Sequence, residues 1–173
     1  EEDYRRLDIT ELEAFTDACV GMDVLVHLAA DPSMQAEFYD TLLPLNIVGA
    51  YNAFEAARRA GCRRIVFASS IHAVLGYGPE QTISWDVPIY PQNVYGATKC
   101  WGEALARVYS DQHGLSCICV RLGGAAWTMT EDVDPEVPQI GITPGDQARL
   151  FSACIDADDD LDLAIVPGVS RHR

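Results

Sequence analysis

The sequence predicts an α/β fold in which helices cover both faces of a parallel sheet, an arrangement called doubly wound. Short, continuously apolar runs alternate with longer segments of helical spacing along the 173 residues. Continuously apolar runs are typical of strands that are buried on both faces, and their alternation with helices indicates parallel connections. The length suits one domain, 1–173, since no linker, repeat or low-complexity segment divides the chain.

Spacing and turn residues place each element in order. The first helix has Thr10 as its N-cap with Glu13 three residues later, and Gly61 and Gly114 suit the C-caps of the next two helices. The acidic, proline-containing stretch 129–139 is predicted to form a loop. In chain order we predict a helix over 10–19, a strand over 24–28, a helix over 45–60, a strand over 64–68, a helix over 94–112, a strand over 116–120, a helix over 146–157 and a strand over 163–166.

One unit that usually opens a dinucleotide-binding sheet has no counterpart in the sequence. Such a fold begins with a strand, a glycine-rich turn and a helix whose N-terminus holds a pyrophosphate, but no G-x-x-G-x-x-G occurs here. We therefore expect the N-terminal βαβ unit to be absent from this chain, and the domain to be truncated at both ends. Doubly wound sheets bind ligands where their strands end, which here falls after Leu28, Ala68 and Val120.

Composition excludes several classes of partner. The chain has 26 acidic and 12 basic residues, for a net charge of −14, and such a surface repels nucleic acid and anionic membranes. No apolar run approaches the ~18 residues of a membrane helix, and we expect no signal peptide. The six cysteines contain no C-x-x-C pair, so we expect reduced core thiols, no metal site and a cytoplasmic protein.

Tyr95 and Lys99 carry the strongest chemical signal. They are four residues apart in a predicted helix and so share one face. A neighbouring ammonium favours the phenolate, so Tyr95 is expected to accept a proton near neutral pH. Lys99 is the only lysine in the chain, and an ammonium can titrate where a guanidinium cannot. The alternative is a surface tyrosine and lysine on an amphipathic helix.

Ser70 gives the second signal, because it ends a predicted strand and could hydrogen-bond a reacting hydroxyl or carbonyl. Taken alone, it also suits a turn or a helix cap. A strand-end serine followed 25 residues later by the pair Tyr95 and Lys99 resembles the short-chain dehydrogenase/reductase superfamily. That resemblance implies a catalytic set of Ser70, Tyr95 and Lys99.

The resemblance extends to the NAD-dependent epimerase/dehydratase branch of that superfamily and covers nearly the whole chain. The motifs that carry it are Asp8-Ile9, His27-Leu28-Ala29-Ala30, Asn46 with Gly49, Asp86-Val87-Pro88 and Arg121-Leu122-Gly123. It implies a Rossmann-like fold that binds NAD, with NADP left open because the residue that reads the ribose 2′ position lies upstream. The cofactor contacts implied by the likeness are Asp8, Ile9, Leu28, Ala29, Ala30, Asn46, Ala68, Ser69, Tyr95, Lys99 and Leu122.

Within that branch, two stretches resemble uronate dehydrogenases and relatives that oxidise sugars at C1. One is Ser69-Ser70-Ile71-His72, close to their S-S-N-H, and the other runs from Tyr95 to Glu103. The likeness implies a substrate site made of Ser33, Ser70, Ile71, His72 and Gly124. A histidine after a strand also serves as a structural hydrogen-bonding group, so His72 has two interpretations.

Two departures from the uronate dehydrogenase pattern bear on the substrate. Ile71 replaces an asparagine, and no basic residue lies between Gly124 and Gln147, where those enzymes carry an arginine that grips the substrate carboxylate. A carboxylate would meet like charge in this acidic stretch. We therefore expect a neutral sugar, or a substrate gripped by another part of the protein.

Three functions are compatible with these residues. The first is an NAD-dependent dehydrogenase of a sugar or sugar derivative, the second a nucleotide-sugar epimerase or dehydratase, and the third a non-catalytic nucleotide-binding homologue. The family likeness also implies a homodimer through two helices. The apolar residues that could form its face, or could instead pack on the sheet, are Ala50, Phe54, Ala57, Trp101, Leu105 and Val108.

Overall fold

Four parallel strands form the central sheet. A computed structural model describes residues 4–78, 81, 83–84, 86–125 and 140–170; the predicted loop 129–139 lies outside these ranges. The sheet order is β1-β2-β3-β6, and a separate parallel pair joins β4 to β5. The strands are β1 (Val24–His27), β2 (Arg64–Ser70), β3 (Ser116–Leu122), β4 (Gly124–Ala125), β5 (Gly141–Ile142) and β6 (Leu163–Gly168).

Helices cover both faces of this sheet, which confirms the doubly wound prediction. Three of them share a core with one face, in which Phe54 packs with Ile65, Phe67 and Cys117. The fourth covers the opposite face through Cys154. The helices are α1 (Leu12–Cys19), α2 (Gly49–Ala60), α3 (Val94–His113) and α4 (Pro144–Ile155).

The predicted capping box of α1 is wrong. Glu11, not Thr10, precedes the helix, and its side chain makes no capping hydrogen bond. The Asp8 carboxylate accepts hydrogen bonds from both the backbone N–H and the hydroxyl of Thr10, at 2.9 and 2.8 Å. Because Thr10 is held in this local turn, its hydroxyl is not available to cap the helix.

The predicted second helix is two elements. An 11-residue π-helix, Phe38–Val48, runs directly into α2. Pro44 lies inside the π-helix, and because proline has no N–H and crowds the preceding turn, it disfavours a regular α-helix. Gly61 ends α2 with a φ of 78°, as its predicted role as C-cap requires.

Four of the six residues considered for a dimer face are core residues. Ala50, Phe54, Ala57 and Leu105 are buried against the sheet, in the core shared by α2 and α3. Their alternative interpretation, packing on the sheet, is therefore the correct one. Trp101 and Val108 lie on the outer surface of α3 and remain 38% and 47% exposed.

Arg64 joins the amino end of β2 to the end of α4. It is fully buried, and its guanidinium donates to the Ser116 hydroxyl at 2.9 Å. The last carbonyls of an α-helix have no partner within the helix, and this guanidinium binds two of those at the end of α4 and two that follow it. The carbonyls it binds, at 2.6 to 3.2 Å, are those of Cys154, Ile155, Ala157 and Asp158.

All six cysteines lie in described parts of the chain and are buried and unpaired, as predicted. Within the described ranges, every helix is too short or too polar to cross a bilayer.

Candidate active site

A cleft of about 610 Å³ opens where β1, β2 and β3 end. Strand β2 runs two residues further than predicted, so that Ser70 is its last residue and pairs with Leu122 of β3. Eleven of the residues predicted for the site line this cleft: Leu28, Ala30, Ala68, Ser69, Ser70, Ile71, His72, Tyr95, Lys99, Leu122 and Gly124.

Five predicted site residues lie outside the lining of the cleft. Asp8 is held in its turn with Thr10, and Ile9 packs against Gly49, where an added Cβ would lie 2.5 Å from the Ile9 side chain. Ala29 is exposed, and the backbone N–H of Ser33 donates to the Asp31 carboxylate at 2.9 Å. The fifth residue, Asn46, is buried and binds other parts of the chain. The sequence prediction missed four residues that do line the cleft: Pro32, Leu75, Gly123 and Ile140.

Ser70 is held with its hydroxyl at the cleft. Its Oγ accepts a hydrogen bond from the backbone N–H of His72 at 3.2 Å, which closes the single 3-10 turn that follows β2. With one lone pair used in this way, the Ser70 hydroxyl keeps its own proton to donate. Ser70 lies close enough to the Tyr95 phenol to lower the pKa of that phenol.

Tyr95 and Lys99 share a face of α3, as predicted, and both are buried. The Lys99 ammonium donates to the Ala68 carbonyl of β2 at 2.9 Å and lies 5.6 Å from the centre of the Tyr95 ring. Helix α3 approaches the turn after β2 closely at Gly96, where a Cβ would lie 2.4 Å from the His72 carbonyl oxygen. Glycine at this position therefore lets the helix bring its tyrosine up to Ser70.

The pKa of Tyr95 shifts in the opposite direction to the one expected from the sequence. Burial raises it above its ordinary value, and the negative charge of Asp31 raises it further, while Ser70 lowers it. Burial also lowers the pKa of Lys99 to about 8. Burial of the phenol outweighs the effect of Ser70, so the surroundings of Tyr95 favour the neutral phenol over the phenolate.

Asn46 connects the loop after β1 to the first turn of α3. Its side chain accepts from the Asp31 backbone N–H and donates to the Asp31 carbonyl, at 2.8 and 2.9 Å. It also donates to the Thr98 hydroxyl at 3.1 Å, which in turn donates to the Tyr95 carbonyl at 2.7 Å. Asn46 therefore holds the loop after β1 against α3, next to the cleft, without lining the cleft itself.

A buried ion pair supports the same edge of the sheet. Arg121 of β3 donates two hydrogen bonds, each of 2.9 Å, to the Glu103 carboxylate of α3. The Ser69 hydroxyl donates to that carboxylate at 2.7 Å. Because both charges are paired and further hydrogen-bonded, they can be buried together. The cluster links β2, β3 and α3 directly behind the cleft.

The position of His72 is compatible with both of its interpretations. It lines the cleft with its ring edge-on to that of Tyr95, at 5.4 Å between ring centres. Its Nδ1 also lies 3.0 Å from the side-chain nitrogen of Asn93. The sequence prediction missed Asn93, although an asparagine immediately before a helix is a recognisable N-cap signal.

The donor groups of the cleft fit a dinucleotide. Lys99 has three N–H donors and, among the described residues, makes one hydrogen bond, to the Ala68 carbonyl. Two N–H groups therefore remain for hydroxyls such as those of a ribose. Ser70 at the end of β2 and Tyr95 and Lys99 of α3 meet at the carboxyl edge of the parallel sheet, where doubly wound sheets bind ligands. This is the arrangement that the family likeness implies for a nicotinamide-dependent oxidoreductase.

Comparison with known proteins agrees with this class. Residues 2–125 match the NAD dependent epimerase/dehydratase family, and the chain belongs to that family. The L-arabinose 1-dehydrogenase (NAD(P)(+)) of Haloferax volcanii is 34% identical over 92% of this chain and 70% of its own. The structure of a uronate dehydrogenase mutant from Agrobacterium tumefaciens complexed with NAD superposes with a TM-score of 0.85 and 34% identity, over 96% of this chain and 60% of its own.

One sequence match, to an epimerase, covers less of the chain than the two dehydrogenases above. The UDP-glucose 4-epimerase of Mycolicibacterium smegmatis is 36% identical over 55% of this chain and 31% of its own. The chain spans about 60 to 70% of the length of the two dehydrogenases above.

Proposed function

We propose that the protein is a dehydrogenase that oxidises a hydroxyl of a sugar or sugar derivative and reduces NAD. The observation that carries the proposal is the meeting of Ser70, Tyr95 and Lys99 in one cleft at the carboxyl ends of the strands. Similarity to a sugar dehydrogenase along 92% of the chain supports it.

The residues divide the reaction between them. The Ser70 hydroxyl donates a hydrogen bond to the substrate oxygen and stabilises the charge that develops there. Tyr95, as phenolate, removes the proton from the substrate hydroxyl. Lys99 would hold the nicotinamide ribose, and its charge would favour the phenolate. NAD would supply the acceptor for the hydride that the alcohol carbon loses as its oxygen loses a proton.

A neutral sugar suits the cleft better than a uronate. Among the described lining residues, Lys99 is the only lysine or arginine, and it already binds the Ala68 carbonyl. The charge of Asp31 reaches Tyr95 and raises its pKa, so a substrate carboxylate near the phenol would be repelled. The sequence between Gly124 and Gln147 has no basic residue, which also favours a neutral substrate over a uronate.

The second candidate is a nucleotide-sugar epimerase or dehydratase, which would use the same first step and then return the hydride. The partial match to an epimerase favours it. The third candidate, a non-catalytic homologue, is disfavoured by the intact Ser70, Tyr95 and Lys99 set.

We further propose a cytoplasmic homodimer. Six reduced, buried thiols suit a reducing compartment. Tyr51 of α2 and Trp101 and Val108 of α3 are large apolar residues that remain between 38% and 47% exposed, and burying them against a second copy would remove this apolar surface from water.

The test is absorbance at 340 nm when the intact protein is mixed with NAD, or with NADP, and with neutral sugars, uronates and sugar phosphates in turn. We expect a rise with a neutral sugar that Tyr95→Phe abolishes. Exchange between isomers of a nucleotide sugar without net NADH would establish the epimerase instead. Silence in both assays would leave the non-catalytic homologue.

A further inference from the structure

Asn93 lies between helix α3, which carries Tyr95, and the turn that follows Ser70. It precedes Tyr95 by two residues and caps α3, because its side-chain Oδ1 accepts a hydrogen bond from the backbone N–H of Gly96 at 2.7 Å. Its Nδ2 lies 3.0 Å from Nδ1 of His72, on the turn that follows β2. One amide therefore bridges the helix that carries the tyrosine and the turn that follows Ser70.

This bridge determines which ring nitrogen of His72 carries the proton. The backbone N–H of Gly96 is a donor, so the oxygen and not the nitrogen of the Asn93 amide must face it. The amide nitrogen, also a donor, must then face His72, and a donor can be accepted only by a nitrogen without a proton. Nδ1 of a neutral His72 is therefore the acceptor, and its proton sits on Nε2.

The surroundings favour a neutral ring. Burial lowers the pKa of His72 below its ordinary value. Tyr95 of α3 faces its ring, Lys99 of α3 lines the same cleft, and the charge of Asp31 in the loop after β1 acts on Tyr95. Within the described residues, the hydrogen bond to its ring comes from Asn93 and none comes from a carboxylate. A neutral imidazole with a lone pair on Nδ1 is thus the form the structure holds.

We propose that Asn93 is a positioning residue that makes His72 a hydrogen-bond donor, through Nε2–H, to an acceptor oxygen of the substrate. This inference deepens the proposed function and rests on it. Ser70 then offers an O–H and His72 an N–H from positions two residues apart in one turn. The cleft selects a sugar that presents lone pairs, such as those of a ring oxygen or hydroxyl, at both points, and not one that presents a donor to His72.

The matched variants are Asn93→Asp and Asn93→Ser, since both keep an oxygen that can cap α3. In Asn93→Asp the second carboxylate oxygen faces Nδ1 and requires a proton there, so it reverses the tautomer or charges the ring. In Asn93→Ser the donor to Nδ1 is lost and neither tautomer is imposed. A purely capping role for Asn93 predicts that the two variants behave like the wild type.

The first readout is the ¹⁵N NMR spectrum of the intact protein. The chain has four histidines, and His72→Gln identifies the signals of His72 by their loss. We expect a pyridine-type Nδ1 and a pyrrole-type Nε2 in the wild type, and a protonated Nδ1 with a raised His72 pKa in Asn93→Asp. A protonated Nδ1 in the wild type, or unchanged shifts in Asn93→Asp, would overturn the assignment.

The second readout is kcat/KM against pH with the sugar found at 340 nm. Above the His72 pKa we expect Asn93→Asp to lose roughly tenfold, the size of one lost hydrogen bond. Below that pKa the charged ring regains Nε2–H, and the loss should shrink. A pH-independent loss shared equally by Asn93→Ser would show that the tautomer of His72 does not set the rate, and would overturn the proposal. If no sugar is oxidised while the expected tautomer is seen, the proposed function fails and the tautomer assignment stands.

Discussion

Lys99 is needed for the proposed reaction, but burying its ammonium lowers the stability of the fold. Its pKa of about 8 in the folded chain lies below the 10.5 of a free lysine because the ammonium is buried. Between those two values the unfolded chain binds more protons than the folded one, so stability rises with pH across this window. Below about pH 8 the folded protein carries the full desolvation cost of a buried ammonium.

Lys99→Met is therefore expected to stabilise the protein while abolishing hydride transfer. At pH 7 we expect the free energy of unfolding to rise by about 1–2 kcal/mol, because a buried charge is replaced by an apolar chain of similar length. Urea denaturation and the 340 nm assay measure the two effects. A less stable variant would mean that the bond to the Ala68 carbonyl outweighs the desolvation.

The pKa of His27 makes the stability of the protein depend on pH in the acidic range. It is buried between Phe15 and Phe67, and burial followed by the charge of Lys99 lowers its pKa to about 4. Between pH 6.5 and 4 the unfolded chain binds the extra proton, so stability falls as the pH falls through this window, by about 2–3 kcal/mol in all. Compared with the wild type, His27→Gln should show a shallower dependence of the unfolding free energy on pH in this range. Parallel curves for the two proteins would contradict the assignment.

At the scale of the element, the contact between α3 and the turn after β2 depends on Gly96. A Cβ there would meet the His72 backbone, which cannot move aside as a flexible side chain would. Gly96→Ala should separate Ser70 and His72 from Tyr95 and lower kcat/KM by about 100-fold, since small misplacements of reacting groups cost rates of this order.

Gly145→Ala is the matched control for that change. Gly145 also lies in the first turn of a helix, but a Cβ there would meet only the Arg149 guanidinium, at 3.5 Å. We expect unchanged activity and stability unchanged or slightly raised, because alanine favours a helix over glycine. Equal losses in both variants, measured in the same assay, would show that helix propensity rather than the close approach is responsible.

Elements with strong local signals were predictable, and those decided by competing local bonds were not. Gly61 marked the end of α2 because a left-handed residue is needed there. Thr10 is a common N-cap residue, but its hydroxyl donates instead to the carboxylate of Asp8, two residues earlier. Pro44 was the available sign of the π-helix, and helical spacing alone could not separate Phe38–Val48 from the α-helix that continues it.

At the scale of the whole molecule, the net charge of −14 acts against the compact state through self-repulsion. Between 156 and 162 the chain has five aspartates, and all five are exposed. Raising NaCl from about 0.1 to about 1 M shortens the screening length from roughly 10 to 3 Å. We expect the melting temperature to rise with salt, and to rise less in the double variant Asp158→Asn, Asp160→Asn. A salt-independent melting temperature would refute the idea.

The cleft itself was largely predictable, because residues that follow parallel strands meet at one edge of the sheet. What sequence reasoning missed depends on tertiary contacts. The direction of the Tyr95 pKa depends on burial and on Asp31, and the role of Asn93 depends on a histidine 21 residues earlier in the chain. Spacing along a strand or a helix predicts neither the surroundings of Tyr95 nor the contact between Asn93 and His72.

The long reach of Arg64 has a consequence for synthesis on the ribosome. This guanidinium enters the interior of the sheet with β2, yet the carbonyls that accept its hydrogen bonds come from 154–158, some 90 residues later in the chain. Until that segment has emerged, closing the sheet would bury a cation without its acceptors. Nascent chains that stop short of residue 154 should therefore remain open and sensitive to protease, whatever helices they have already formed.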